Sequence, residues 1–302
     1  MDEQKKGSGY LKAAALLAGS AFAVGVGTYL YASRVENRRY RLEKMRVNVS
    51  GGAQRRFSKP LRILHISDLH LCHPESHKVE FLKRVTDDDY DLVVLTGDVF
   101  ENETGLPYAA EMLSRAPRLG AYAVLGNHEY YAYSMFNKIF GRIVRRFRHP
   151  AQKRDVTPFV NALESGGFKV LRNNTVVFPD EGLHIVGVDY PGVSQQHLND
   201  LSKAHPEHLV VALFHMPKHL ESFDKAGVHL AFGGHTHGGQ VCLPGYGAII
   251  TDSELPRHEA SGLFYRGNTA IHISRGVGAD PRSNIRLFCP PHATVLEVVC
   301  EG

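Results

Sequence analysis

The chain contains few cysteines, and they form no recognisable pattern. Only four occur in 302 residues, at Cys72, Cys242, Cys289 and Cys300. The absence of a CxxC pair and of dense spacing excludes a disulfide scaffold and a zinc knuckle, and it fits a reducing compartment. No repeat of the solenoid type is visible. The length suffices for one large domain with a buried core.

Acidic residues are scarce in two segments. Residues 1–59 carry 12 Lys or Arg against 4 Asp or Glu, and residues 138–154 carry seven basic residues and no acid. After residue 59 the chain has 23 basic and 27 acidic residues, a net charge of −4. Because the basic excess is local, a general nucleic-acid-binding surface is excluded, and an anionic membrane surface is the expected partner. The sequence identifies no protein partner.

Charge is absent from residues 13–33, a run of 21 residues near the N-terminus. A helix of this length spans about 30 Å, the thickness of the hydrocarbon core. No small-x-small cleavage site with a neutral mature start follows, which argues against a cleaved signal peptide. We therefore expect a short tail at 1–12, a transmembrane anchor at 13–33 and a basic juxtamembrane linker at 34–59.

Positive residues flank the anchor on both sides, with more of them on the C-terminal side. Lys5, Lys6 and Lys12 precede it, whereas nine Lys or Arg follow within the linker. The positive-inside bias places the following domain in the cytoplasm. Gly51-Gly52 then indicates the approach to that domain, which we expect at 60–302.

The expected domain alternates β-rich apolar runs with helical patterns, which predicts a layered α/β fold with much parallel sheet. The predicted strands are Leu61–Ile66, Leu92–Leu95, Ala121–Leu125, Leu183–Val188, His208–Phe214, His229–Phe232, Thr269–Ser274 and Thr294–Val299. The predicted helices are 76–86, 107–115, 157–165, 195–203 and 217–226.

Polar clusters end several of these strands. They read HISDLH at 65–70, LTGD at 95–98, LGNHE at 125–129, LFH at 213–215 and FGGHTHGG at 232–239. Loops at the carboxyl ends of strands in α/β sheets converge on a ligand crevice, so we expect one shared site. Carboxylate, amide and imidazole donors together favour Mn²⁺, Fe²⁺ or Zn²⁺ over an all-oxygen Ca²⁺ site.

Taken in order, the motifs D-x-H, GD, GNH(E), H and GH-x-H resemble the metal site of the calcineurin-like metallophosphoesterase superfamily. The resemblance runs from about Leu61 to the C-terminus. It implies a four-layer α/β-β/α sandwich, here preceded by the one transmembrane helix, and two divalent ions, with Mn²⁺ expected first and Fe or Zn as alternatives.

The resemblance also implies a role for each residue of the motifs. The first ion would be bound by Asp68, His70 and His237. Asp98 would bridge to a second ion, which would also take Asn127, His215 and His235. His128 would bind no metal; it would contact a phosphoryl oxygen and assist the leaving group as a donor. Glu129 would orient His128 or close the loop, or it is a plain surface acid.

The end of the chain is similar to a group of bacterial membrane-associated phosphodiesterases. Their last loops read GHTHGGQ-x-x-x-P and are followed by a PP-x-x-x-x strand, which correspond here to 234–244 and 290–298. His292 departs from the acidic residue expected after the two prolines. That group includes enzymes that release UMP from UDP-diacylglucosamine in lipid A synthesis, which implies a single-pass protein of the bacterial inner membrane.

A basic amphipathic insertion is expected at about 133–154, directly after the GNHE motif. Its apolar residues recur at three- and four-residue steps, and its basic residues fall largely on the other faces. Such a helix can lie in the membrane interface and hold a lipid or phosphate, with Arg142, Arg145 and Arg146 as substrate-binding candidates. The alternative is an ordinary helix that packs its apolar face on the domain.

The sequence thus predicts a two-metal hydrolase of a phosphodiester or pyrophosphate bond in a membrane-associated substrate, with UDP-diacylglucosamine as the first candidate. The nearest alternative is a phosphodiesterase of phospholipids or cell-wall precursors, with its domain outside the cytoplasm. A different class of alternative is a non-catalytic scaffold that uses the metal cleft to bind protein.

Overall fold

The computed structural model describes residues 2–50, 59–133, 151–203 and 207–301. Gly51-Gly52, expected to precede the domain, and the three arginines expected to bind substrate, Arg142, Arg145 and Arg146, lie outside these residues. The described helices are α1 (Asp2–Leu30), α2 (Ser76–Val85), α3 (Asn127–Tyr130), α4 (Thr157–Ser165), α5 (Gln195–Ser202) and α6 (Glu221–Lys225).

The N-terminal helix α1 leaves its described side chains exposed from residue 14 to residue 30. The segment Ala14–Arg38 has a mean hydropathy of 1.5 over its most apolar window and is long enough to cross a membrane. The helix begins at Asp2, so the expected N-terminal tail continues directly into it.

Two six-stranded sheets form the body of the described chain, in the orders β1-β16-β2-β3-β4-β7 and β14-β15-β11-β10-β9-β8. Two short two-stranded sheets, β5-β6 and β12-β13, lie beside them. In chain order the strands are β1 (Arg41–Ser50), β2 (Leu61–Ile66), β3 (Leu92–Thr96), β4 (Ala121–Val124), β5 (Tyr131–Ala132), β6 (Gln152–Lys153), β7 (Phe168–Val170), β8 (Asn174–Phe178), β9 (Leu183–Gly187), β10 (Leu209–Leu213), β11 (Leu230–Gly233), β12 (Cys242–Leu243), β13 (Gly247–Ala248), β14 (Gly262–Arg266), β15 (Thr269–Ile273) and β16 (His292–Glu301).

The central strands are parallel and buried at every position. This holds for the neighbours β3 and β4 in the first sheet and β9 and β10 in the second. Strands covered on both faces need nearly continuous apolar sequence, which is why these runs were readable from the sequence. Parallel pairing also places their carboxyl ends at one edge of each sheet.

Apolar side chains form three layers of core, and this confirms the predicted four-layer sandwich. Between the sheets, Ile63 and Val94 pack with Ile185 and Val211. Outside the first sheet, α2 and α4 bury residues such as Leu82 and Phe159 against it. Outside the second sheet, α5 and α6 do the same with Leu198 and Phe223.

The expected linker at 34–59 is corrected for residues 41–50, which form the edge strand β1. This strand pairs in parallel with β16, from Arg41 opposite His292 to Ser50 opposite Glu301. Val47 and Val49 are buried, whereas Lys44 and Arg46 between the apolar positions are exposed. This alternation is typical of a half-buried strand. In the sequence it was masked by the basic residues of the exposed face, whose number made the segment resemble a linker.

Candidate metal centre

The five polar loops meet at the carboxyl ends of β2, β3, β4, β10 and β11. Asp68 and His70 follow β2, and Asp98 follows β3. Asn127 and His128 open α3, directly after β4. From the second sheet, His215 follows β10, and His235 and His237 follow β11. The structure therefore brings all eight motif residues to one location between the two sheets.

The backbone at this location is held in an uncommon conformation. Left-handed φ angles occur at five of the motif residues: Asp68 (50°), His70 (46°), Asp98 (50°), His235 (73°) and His237 (52°). Such angles are uncommon outside glycine and cluster at functional sites, where the surrounding structure must impose them. Gly126 is needed for the same close packing, because a Cβ there would lie 2.2 Å from Asp98 Oδ1.

The first donor cluster consists of Asp68, His70 and His237. All three residues are buried, and their donor atoms lie within 4.8 Å of one another. His237 Nε2 lies 3.1 Å from His70 Nε2 and 3.7 Å from Asp68 Oδ1. The cluster offers two imidazole nitrogens and one carboxylate oxygen at a buried position. This set of donors suits a divalent cation of borderline softness.

The second donor cluster consists of Asp98, His215 and His235, with the amide oxygen of Asn127 between the two rings. His215 Nε2 lies 3.2 Å from Asp98 Oδ2 and 3.1 Å from Asn127 Oδ1. Asn127 Oδ1 is also 3.0 Å from His235 Nδ1. Asp98 Oδ2 lies 4.0 Å from His70 Nε2 of the first cluster, so this carboxylate stands between the two.

Hydrogen bonds behind the histidines select the nitrogen that faces the centre. His215 Nδ1 lies 2.7 Å from the carbonyl oxygen of Thr96, which can only accept, so Nδ1 carries a proton and Nε2 is the nitrogen that faces the centre. His237 Nδ1 lies 3.4 Å from the carbonyl oxygen of Gly278 and also 3.4 Å from the guanidinium of Arg286, so Nε2 is again the nitrogen that faces the centre. Carbonyl partners of this kind are typical of metal-binding histidines.

A chain of hydroxyl groups fixes Asp68 from the other side. Ser67 Oγ donates to Asp68 Oδ2 at 2.6 Å, and Thr96 Oγ1 donates to Ser67 Oγ at 2.7 Å. His65 Nε2 meets the same threonine hydroxyl at 2.8 Å. These groups are buried, and the backbone N–H of His235 also donates to Asp68. The carboxylate thus has a single orientation.

The charges at the centre compensate one another. Burial raises the pKa of Asp68. Burial also opposes ionisation of Asp98, but the neighbouring His215, His128 and His70 together outweigh this effect and hold the pKa of Asp98 well below its usual value. Conversely, burial opposes protonation of His215, and Asp98 outweighs it, so that the pKa of His215 rises to about 10. The buried carboxylates therefore require positive charge beside them.

Glu101 links His128 to the first donor cluster, a contact that sequence reasoning missed. One of its oxygens, Oε2, accepts from His128 Nδ1 at 2.8 Å and from His70 Nδ1 at 3.1 Å. Burial opposes the charge of Glu101, but these two hydrogen bonds outweigh it and lower its pKa to about 2. In the sequence, the only feature that could have indicated Glu101 as part of the site is its position three residues after Asp98.

Glu129 is buried and closes the loops after β3 and β4; it is not a surface acid. Its carboxylate accepts the backbone N–H groups of Asp98 and Gly126 at one oxygen and those of Val99 and Phe100 at the other. Burial raises the pKa of Glu129 to about 7. Its contacts are all with the backbone of the two loops that carry Asp98 and Asn127.

A cleft of about 720 Å³ opens over the centre. Asp98 and His128 lie in its wall, together with Arg282 and the apolar side chains of Ile249 and Ile250. The guanidinium of Arg282 pairs with Asp280 at 2.6 Å and lies 5.4 Å from the ring centre of Tyr133. Sequence reasoning did not single out Arg282, because an isolated arginine carries no motif.

Comparisons with known proteins agree with the motifs. Residues 61–239, which contain all eight motif residues, match the family model described as calcineurin-like phosphoesterase. An uncharacterized metallophosphoesterase of Aquifex aeolicus is 30% identical over 80% of this chain and 86% of its own.

Some of the relatives carry named activities. The UDP-2,3-diacylglucosamine pyrophosphatase LpxG of Chlamydia muridarum is 26% identical over 80% of this chain and 84% of its own. The phosphodiesterase YaeI of Escherichia coli is 29% identical over 80% of this chain and 83% of its own. The resemblance stated from the motifs is confirmed.

Proposed function

This chain belongs to the calcineurin-like phosphoesterase family, and from that premise we propose that it hydrolyses a phosphodiester or pyrophosphate bond in a membrane-associated substrate, with UDP-diacylglucosamine as the first candidate. One observation carries the proposal: the two donor clusters lie side by side, with Asp98 Oδ2 of the second 4.0 Å from His70 Nε2 of the first, beneath a cleft that His128 also lines. The named activity of the relative LpxG supports this choice of substrate.

Two divalent ions would be held by the seven donors already described. Asp68, His70 and His237 would hold the first, and Asn127, His215 and His235 the second, with Asp98 shared. Mn²⁺ suits this mixture of oxygen and imidazole donors, and Fe²⁺ or Zn²⁺ are alternatives. When bound, two such ions supply an acidic water and neutralise the charge of a phosphoryl group.

His128 would act as the proton donor to the leaving group. Glu101 can only accept, so the hydrogen bond at 2.8 Å holds a proton on Nδ1. The proton that His128 can transfer is therefore the one on Nε2. His128 is buried, and its backbone N–H donates to Asp98 Oδ1 at 2.8 Å, which holds the ring beside the shared carboxylate. A positioned donor of this kind contributes about 100-fold or more to a rate.

The membrane would be the source of the substrate. The helix α1 is long and apolar enough to span a bilayer, and exposed Arg34, Arg38 and Arg39 follow it, where they would meet anionic headgroups. The excess of positive charge after the span favours a cytoplasmic domain in a bacterial inner membrane. Arg142, Arg145 and Arg146 would add contacts to the substrate phosphates.

The test uses the full chain, purified in detergent and loaded with Mn²⁺. UMP release from UDP-diacylglucosamine is measured beside hydrolysis of a soluble aryl phosphodiester, for the wild type and for His128→Ala. We expect UMP release that falls by about 100-fold or more in the variant, with metal content unchanged.

Other outcomes would contradict parts of the proposal. Hydrolysis of the aryl diester alone would reject UDP-diacylglucosamine and direct the search to phospholipid and cell-wall diesters. No hydrolysis of either compound by protein that holds two ions would favour the protein-binding scaffold. A variant that turns over at the wild-type rate would remove His128 from the mechanism.

A further inference from the structure

The distribution of exposed apolar side chains on the catalytic domain is uneven. Beyond α1 and its continuation to residue 35, six large hydrophobic residues are exposed in the described chain, and only Tyr265 among them stands apart. The other five belong to the β12–β13 hairpin, the two residues after it, and one nearby loop. We name them the apolar lip: Leu243, Tyr246, Ile249, Ile250 and Phe288.

The lip is connected to the end of the membrane-spanning segment. The loop 284–289, which carries Phe288, also binds the residues that follow α1. Arg286 donates its backbone N–H to the carbonyl of Ala32 at 3.0 Å, and Cys289 donates to Glu36 Oε1 at 2.8 Å. Ala32 and Glu36 are both buried in this junction. The exit of the span is therefore fixed against the loop.

The same loop is hydrogen-bonded to the hairpin. The backbone N–H of Cys242 donates to the carbonyl of Leu287 at 2.9 Å, and Leu287 donates to the carbonyl of Gln240 at 2.9 Å. A continuous run of backbone contacts thus leads from α1 through the loop to the strand that begins the hairpin. Leu243 and Tyr246 are 46% and 52% exposed at its tip.

The lip also forms one wall of the catalytic cleft. Ile249 and Ile250 line the cleft together with His128, and Ile285 of the loop lines it as well. Phe288 is 57% exposed and adopts a left-handed φ of 52°, which bulky residues rarely do. An aromatic ring held outward in this way, beside the span, is not explained by packing within the chain.

We propose that the apolar lip inserts into the surface of the bilayer that α1 spans, so that the catalytic cleft opens at the level of the lipid headgroups. The charges around the lip fit this partner. Arg257 lies over the ring of Tyr246 at 4.3 Å, and Arg34 and Arg38 are exposed just beyond the span. Aromatic rings and arginines are the residues enriched at this depth of a membrane.

The lip would admit a lipid-linked phosphate directly from the membrane, a consequence that rests on the proposed function. Its apolar wall would hold the acyl part of such a substrate while the phosphate reaches the donor clusters. Docking of the lip itself needs no catalysis, so it can be measured independently.

The experiment uses the absence of tryptophan from the chain, which makes any introduced tryptophan a unique fluorophore. Tyr246→Trp and Phe288→Trp are made in the full chain and reconstituted into vesicles of phosphatidylethanolamine and phosphatidylglycerol, with or without bromine on the acyl chains. We expect bromolipid to lower the emission of both variants by about twofold or more, because bromine quenches only fluorophores within the bilayer.

Tyr265→Trp is the matched control. Tyr265 is also exposed, at 49%, but its hydroxyl donates to the carbonyl of Asn48. Asn48 lies seven residues along β1 from Arg41, which at the rise of a strand is about 23 Å from the end of β1 that follows the junction. The emission of this control should not respond to bromolipid. Equal responses of all three variants, or none, would overturn the proposal. Emission that shifts to the blue at the lip without bromolipid quenching would place another protein chain there and also overturn it.

A second arm separates this inference from the proposed function. Leu243→Gln with Phe288→Gln changes two lip residues that do not line the cleft. Its KM for bilayer-presented substrate should rise by about tenfold, with unchanged turnover of a soluble aryl diester. An unchanged KM would overturn the role of the lip in substrate entry. Quenching at the lip without turnover of any substrate would support docking and reject the proposed function.

Discussion

At the scale of single residues, the centre depends on two acidic residues that hold neighbouring groups in place by hydrogen bonds. Glu101 binds two histidines with one oxygen, and Glu129 accepts four backbone N–H groups. That the eight motif residues lie together was predictable, because their order and spacing along the chain form motifs. The two glutamates were not, since a buried acid and an exposed acid are identical in sequence until the fold supplies their neighbours.

Replacement of Glu101 by Gln should slow catalysis without unfolding the protein. A neutral amide keeps an acceptor for His128 and His70 but loses the charge that orients both rings. Loss of such supporting contacts costs about 10–100-fold in activity or metal affinity. The measurement is kcat on an aryl diester at saturating Mn²⁺, and Glu103→Gln is the control because Glu103 is exposed on the same segment. Equal rates for both variants would contradict the assignment.

Replacement of Glu129 by Gln should destabilise the fold. Gln keeps one acceptor oxygen, but its NH₂ group would face two of the four backbone N–H groups. Two buried donors without an acceptor cost about 2–6 kcal/mol together. Denaturant unfolding of the metal-free protein measures the loss, with Glu164→Gln at an exposed position of α4 as control. A difference below about 0.5 kcal/mol, the usual effect of a surface change, would contradict this account.

At the scale of elements, β1 joins the segment after α1 to the catalytic domain. Most interior strands were predictable from their apolar runs, but β1 was not, since its exposed face carries the basic residues expected of a linker. The edge strands β8 and β14 were missed for a related reason: they are only partly buried, so their sequences lack a continuous apolar run. Pro107 lies in the expected helix at 107–115, and the structure forms a 3₁₀ helix over Glu103–Glu111 instead.

A pH-dependent contact fastens β1 to β16. His292 Nε2 accepts from the backbone N–H of Arg275, so its proton lies on Nδ1, which is 3.1 Å from Glu43 Oε1. The hydrogen bond from His292 lowers the pKa of Glu43 to about 2. A carboxyl with a lowered folded-state pKa stabilises the fold above its unfolded-state pKa and loses this contribution as the pH falls.

Glu43→Gln should therefore lower the thermal midpoint near neutral pH, and the difference from the wild type should shrink as the pH falls from about 5 towards 2. Thermal unfolding in detergent across this range measures the difference. Glu297→Gln, at a half-buried position of β16 five residues beyond His292, serves as the comparison. A difference that stays constant with pH would contradict the contact.

At the scale of the whole molecule, the donor clusters join the two sheets. Asp68, His70 and Asp98 come from the first sheet, whereas His215, His235 and His237 come from the second. Ions bound there would hold both sheets together at their carboxyl ends. The eight motif residues made this junction predictable from the sequence. The apolar lip was not predictable, because its residues come together only where the hairpin contacts the loop 284–289.

Removal of metal should therefore lower global stability. An ion at about 100 times its dissociation constant adds about 2.7 kcal/mol to the free energy of unfolding if it binds only the folded chain. Chelation of the Mn²⁺-loaded protein should lower its thermal midpoint, and His235→Ala should reduce that response. A wild-type thermal midpoint that does not change on chelation would contradict metal binding between the sheets.

The central claim is that two ions held by these donors enable phosphoester hydrolysis. Mn²⁺ is titrated into chelator-treated full-length protein while bound metal and hydrolysis of an aryl phosphodiester are followed together. The account predicts that activity reaches its maximum as the second ion per chain binds. Full activity with a single ion, or two bound ions without hydrolysis, would contradict it.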